Sequence, residues 1–173
     1  MTARRSLPNV VLAALGTLPV MAVGNAATLI YGNVSGWTVH TDPDQAYLCY
    51  AEALYEDESS IRIGFEPEDG SLYLVITDAS WGRVSASREI ELQFDEESPL
   101  SFAASRAAGG DSVRIVIPED RRATFLKDLK LRYVFNARYG ETEPVMFSLG
   151  GSLNALRLLE ECQASMAQSA NAK

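Results

Sequence analysis

Ile61-Arg62-Ile63-Gly64-Phe65-Glu66-Pro67-Glu68-Asp69-Gly70-Ser71-Leu72-Tyr73-Leu74-Val75-Ile76 is the stretch that decides the fold class. Ile61, Ile63 and Phe65 fall on one side of an extended chain, with Arg62 and Glu66 on the other. Leu72, Leu74 and Ile76 repeat the pattern. Side chains of a strand alternate between its two faces, so this period of two marks strands with one buried and one wet side. Between the two runs, Pro67 presets φ and Gly70 accepts a positive φ, which predicts a turn and therefore a hairpin.

The same period recurs on either side. Ile90, Leu92 and Phe94 alternate with Glu89, Glu91 and Gln93, and Val113, Ile115 and Ile117 form another run. Leu131, Tyr133 and Phe135 give a further strand, and Val145, Phe147 and Leu149 the last. Tyr47 to Leu54 is a candidate strand holding Cys49, followed by a charged turn at Glu56-Asp57-Glu58-Ser59-Ser60. Ala27 to Asp44 reads as a linker entering a first edge strand near Trp37 and Val39. Ser98 to Asp111, rich in Ala, Ser and Gly, reads as a mobile connection.

Two short helices interrupt the strands. Pro118 suits a helix start because its missing N–H is harmless there, and Glu119 and Asp120 favour the positive end of the helix dipole. Phe125, Leu126 and Leu129 share one face, and the helix gives way to a strand near Lys130. Gly150-Gly151 breaks the last strand, and Ser152 is the expected cap of the final helix. Leu153, Leu156, Leu159 and Cys162 lie along one side of it, and from Gln163 onward the chain is expected to fray. The pattern describes a mainly β protein: an antiparallel β-sandwich or partly open barrel with the C-terminal helix packed on the sheet.

The chain opens with Arg4 and Arg5, an apolar stretch from Val10 to Val23 broken by Pro19, and small residues at Ala22-Val23-Gly24-Asn25-Ala26-Ala27. This is the layout of a cleaved secretory signal. The expected division is a signal over residues 1–26, one β-rich domain over 27–163 and a flexible tail over 164–173. Export implies a periplasmic or secreted location and no membrane insertion after cleavage. It also places the only two cysteines, Cys49 and Cys162, in an oxidising space, where a single disulfide is expected. A bridge closing so long a loop is worth roughly 4–5 kcal/mol in the chain-entropy model.

Composition narrows the function. The formal charge is −8 and becomes −10 without Arg4 and Arg5, which disfavours nucleic acid, whose phosphates need a basic surface. His40 is the single histidine and reads as an exposed surface residue, a poor basis for a catalytic triad. No Gly-x-Ser-x-Gly elbow is present, and Gly109-Gly110 lacks the Lys and Ser/Thr of a phosphate loop. The acidic groups Asp42/Asp44, Glu56/Asp57/Glu58 and Asp95/Glu96/Glu97 lack the spacing of a calcium loop. No cofactor, metal or catalytic residue is assigned. Trp37, Trp81 and Tyr139, with Tyr47 and Tyr50, are candidates for an aromatic binding surface, weighed against filling the core. Arg121, Arg122, Lys127 and Lys130 surround the first helix as a solvated face or a contact for an acidic partner.

The run Phe147-Ser148-Leu149-Gly150-Gly151-Ser152-Leu153-Asn154-Ala155-Leu156-Arg157-Leu158-Leu159-Glu160-Glu161-Cys162 resembles the ending of exported bacterial proteins of the invasion-associated locus B family and of VasI-like type VI secretion-associated proteins. Trp37 followed by Cys49, and Phe125-x-x-x-Leu129 leading into a strand, fit the same outline. The resemblance implies an exported, disulfide-bonded β-rich domain with an envelope or host-contact role and brings no catalytic motif. The expected function is a non-enzymatic binding protein of the bacterial envelope whose partner is another envelope or host protein. The alternatives are an inhibitor of a protease or lysozyme acting through an exposed loop, and an enzyme working with carboxylates alone.

Overall fold

The computed structural model describes residues 28–42, 48–66, 69–84, 87–107 and 110–171. The expected signal, residues 1–26, lies outside them, as do Tyr47 and Gly109. The strands are β1 (Leu29–Val34), β2 (Trp37–Asp42), β3 (Leu48–Leu54), β4 (Ser60–Phe65), β5 (Leu72–Thr77), β6 (Ser87–Phe94), β7 (Leu100–Arg106), β8 (Ser112–Ile117), β9 (Val134–Tyr139) and β10 (Val145–Ser148). The helices are α1 (Glu119–Leu131) and α2 (Ser152–Asn171). One antiparallel sheet runs in the order β1-β2-β3-β4-β5-β8-β7-β6-β9-β10 and does not close.

The β4–β5 hairpin is the centre of this sheet. Its register sets Ile61 beside Ile76, Ile63 beside Leu74 and Phe65 beside Leu72. β8 extends the same rows with Val113, Ile115 and Ile117. Burying each such side chain contributes about 1.5–3 kcal/mol, so three adjacent strands sharing one apolar face outweigh any competing register. Because β5 pairs with β8, the strands β6, β7 and β8 run back as a meander, and β6 then takes β9 as its outer neighbour.

Two strands arise where the sequence suggested loops. β1 occupies the segment read as a linker and pairs with β2 through a bulge at Tyr31. β7 occupies the stretch read as a mobile connection and is bonded to β6 on one side and β8 on the other. Phe102 and Ala104 are its inward side chains. Two flanking ladders supply backbone partners along β7, which overrides the weak strand propensity of its Ser and Ala residues. A third correction concerns Leu131 and Tyr133. α1 extends through Leu131, and both side chains are exposed; the inward rhythm of β9 begins at Phe135.

The sheet coils so that its ends approach. Tyr55, after β3, donates its hydroxyl to the Ser148 carbonyl at the end of β10 (2.7 Å). Trp37 of β2 donates its indole N–H to the Gly150 carbonyl (3.0 Å). Inside, Phe94 packs against Phe125 of α1 and Phe135 of β9, each at 5.1 Å between ring centres. α2 covers the inner face of β1 to β3. It is bonded there by the Cys49–Cys162 disulfide, with Cα atoms 6.1 Å apart. The expected tail is helical as far as Asn171, and Met166 packs against the core. Ser152 does not act as the expected cap: its hydroxyl donates to the Leu129 carbonyl of α1, joining the two helices.

Candidate functional site

The outer face of β2, β3, β4, β5 and β8 carries an ordered polar network. Alternation turns Ile61, Ile63, Leu74 and Ile76 inward, so Arg62, Val75 and their cross-strand neighbours face out. The register builds one row from Glu52, Arg62, Val75, Arg114 and Ser105. The next row contains His40, Tyr50, Gly64 and Tyr73. A third, on the other side, holds Ser60, Thr77 and Ser112.

Each arginine is fixed twice. Arg62 lies over the Tyr50 ring at 4.3 Å and pairs through Nη2 with Glu52 at 3.1 Å. Arg114 lies over the Tyr73 ring at 4.1 Å and pairs through Nη2 with Glu66. Gly64 makes room for this arrangement, since a Cβ there would meet the Tyr73 ring at 2.5 Å. A guanidinium stacked on an aromatic face keeps the N–H groups on its edge directed sideways. The Thr77 and Ser112 hydroxyls bond each other at 2.9 Å.

These rows enclose two hollows that share Arg62, Val75 and Arg114. The larger, about 380 Å³, extends over Ser60 and Thr77. The smaller, about 70 Å³, lies by Tyr50, Tyr73 and Glu66. Val75 has the shortest side chain of the shared three and forms the floor of a groove walled by the two arginines.

His40 belongs to the network and is not an exposed residue: its side chain is 17% accessible. It stacks on Tyr50 at 4.9 Å and lies 3.6 Å from Glu52. Burial holds its pKa below the ordinary 6.5; Glu52 pulls the other way, and Arg62 adds to the lowering. Burial also raises the Tyr73 phenol above its ordinary value, against the opposing pull of Arg114.

The aromatic candidates do not form a surface. Trp37, Trp81 and Tyr139 are 2%, 6% and 4% exposed and belong to the core. Trp81 and Tyr139 pack on each other at 5.8 Å. Large apolar area drives such rings inward unless something holds them out, and here the curled sheet encloses them. The acidic groups carry local bonds. Asp57 accepts from Ser59, Asp95 accepts from the backbone N–H groups of Tyr133 and Val134, and Glu97 pairs with Arg132. Around α1, Arg122 pairs with Glu119 and Lys130 with Glu160. Among the described residues, no group of three or more His, Cys, Asp or Glu side chains is placed to hold a metal.

Arg62, Arg114, Tyr50, Tyr73, Glu52 and Glu66 were not singled out as a site from the sequence. The available signal was the wet side of the strands: Arg62 and Glu66 stand opposite the apolar row of β4. The pairing of β5 with β8, which brings Arg114 to Val75, is not written in either strand.

No protein-family model matches the chain, and comparison with curated proteins finds no match. Among solved structures, the chain is similar in fold to the crystal structure of invasion associated protein B from Bartonella henselae, with a TM-score of 0.57 and 16% sequence identity. The similarity covers 80% of this chain and 99% of that one. It is a distant likeness of fold alone.

Proposed function

We propose that this protein acts outside the cytoplasm, in the bacterial envelope, by binding rather than by catalysis, and that the groove face of the sheet is its recognition surface. The observation that carries this reading is the state of the groove's titratable groups. Glu52 is engaged by Arg62, and Glu66 by Arg114. General acid–base work needs a group free to exchange its proton with a substrate, whereas paired charges on a rigid sheet suit recognition. The fold likeness to invasion associated protein B supports an envelope role. So does the disulfide, because such bridges persist in oxidising compartments. Among the described residues, no helix is long and apolar enough to cross a membrane. Inhibition of a hydrolase through a protruding loop has less support, since the acidic connection at Tyr55–Ser59 is a tight turn closed by its own backbone bonds.

The test is capture from envelope extracts with the disulfide-bonded protein as bait, beside an Arg62→Gln/Arg114→Gln bait. Saturable capture of an envelope component, lost with the variant, is the expected result. A hydrolytic or transfer activity of the pure protein that disappears in Glu52→Gln or Glu66→Gln would overturn the reading.

A further inference from the structure

We propose that the groove takes the oxyanion of a ligand, a carboxylate, phosphate or sulfate group, held between Arg62 and Arg114 above Val75. This rests on the groove being the recognition surface and names the chemistry it recognises. Arg62 and Arg114 both pair directly across from Val75, on opposite sides of β5. Their Cα atoms are therefore two strand spacings apart, about 10 Å. Two arginine side chains on that spacing, rising from one sheet face over a short aliphatic floor, can converge on a single anionic group.

The hydrogen-bonding capacity of both guanidinium groups is unfinished. Each uses Nη2 for its carboxylate. Among the described residues, neither Nη1 has a partner, and Arg62 Nε is buried with none. Stacking on Tyr50 and Tyr73 has already restricted both side chains. Little further conformational entropy is therefore lost when the planar forks engage oxygen atoms. Charge-assisted bonds from guanidinium to an oxyanion are among the strongest available to a protein. The Ser60 hydroxyl, on the wall of the larger hollow, is a further donor of suitable chemistry.

Electrostatics set the strength. The chain carries a net charge of −8, and Glu52 and Glu66 offset the two guanidinium charges. An anion is thus attracted only at short range, by the donors themselves. A single small oxyanion should therefore bind weakly, and a partner presenting that group would add its own contacts.

The experiment is an amide chemical-shift titration of the disulfide-bonded chain with inorganic phosphate and, separately, with succinate at constant ionic strength. Saturable shifts centred on Val75, Thr77 and Arg114 in either titration are expected. Saturation with phosphate alone assigns the phosphate-ester class, and with succinate alone the carboxylate class. Arg62→Gln/Arg114→Gln should weaken binding at least about tenfold, the effect of losing charge-assisted bonds, while Arg121→Gln on α1 should leave it unchanged. Val75→Glu places a carboxylate between the two arginines. It should abolish binding while preserving the fold, which separates loss of the site from failure to fold. Absence of saturation with both ions, or saturation unchanged in the double variant, would overturn the proposal. Capture that survives in the double variant would sink the assignment of the recognition surface while leaving a measured oxyanion site standing. Oxyanion titration that fails while groove-dependent capture succeeds would do the reverse.

Discussion

Gly151 is where the end of the sheet and the start of α2 are forced together, and replacing it with alanine tests that junction. Its φ is +85°, a region that costs an L-residue about 1–2 kcal/mol. A Cβ at Gly151 would lie 2.5 Å from Ser35 Cβ and closer still to the Ser35 carbonyl oxygen. That oxygen is backbone in the β1–β2 turn, so it yields only if the hairpin shifts. Overpacking of this kind costs about 1–3 kcal/mol. The reduced freedom of the unfolded chain returns about 0.4–1 kcal/mol. The expected net loss for Gly151→Ala is therefore about 1–4 kcal/mol. In urea denaturation of the disulfide-bonded protein, this moves the midpoint down by about 0.5–2 M at an m-value of about 2 kcal/mol/M. Gly150→Ala is the control. Gly150 lacks a positive φ, and its added Cβ would meet only Ser148 Oγ, at 3.5 Å. The Gly150 carbonyl that accepts from Trp37 would remain. A loss below about 0.5 kcal/mol for Gly151→Ala, the range of an ordinary surface change, would refute the argument. So would an equal loss for Gly150→Ala.

Three further changes probe other joints. Removing the disulfide by Cys49→Ala/Cys162→Ala should lower stability by about 2–5 kcal/mol, with hydrogen exchange quickening first along α2; uniform quickening across β4 and β5 would contradict the placement of the strap. Burial, helped by Asp57, pushes the Tyr55 phenol up to about 12 from 10.0. The neutral form is thus favoured in the fold, and this contribution is present below pH 10.0 and lost as pH rises toward about 12. Tyr55→Phe should flatten that part of the alkaline loss in denaturation midpoints taken across the window; an unchanged slope counts against the buried phenol. His40 has a lowered folded pKa, so its contribution is complete above 6.5 and declines as pH falls below that value, where the unfolded chain takes up the proton more readily. His40→Gln should remove this decline, and thermal midpoints that fall equally in both proteins would show that burial of the imidazole is not its cause.

Legibility in the sequence follows how local the determining interaction is. The β4–β5 hairpin was readable because the apolar period, the turn residues and the partner strand all lie within one short stretch, and the register Ile63 to Leu74 follows from it. α2 was readable for the same reason: Leu156, Leu159 and Cys162 recur at helical spacing, and all three are buried. β7 was not, because Leu100-Ser101-Phe102-Ala103-Ala104-Ser105-Arg106 has only Phe102 and Ala104 to turn inward. Its conformation is imposed by β6 and β8, one on each side. The groove fails to appear in the sequence for a related reason. Arg62 and Arg114 stand 52 positions apart, and Arg114 finds its partner Glu66 across 48. They come together only because β8 returns past β6 and β7 to lie against β5. A wet strand face looks alike in sequence whether its charges are scattered in solvent or gathered into a site. What distinguishes the two is the cross-strand row, and here that row sets two arginines on either side of a single valine.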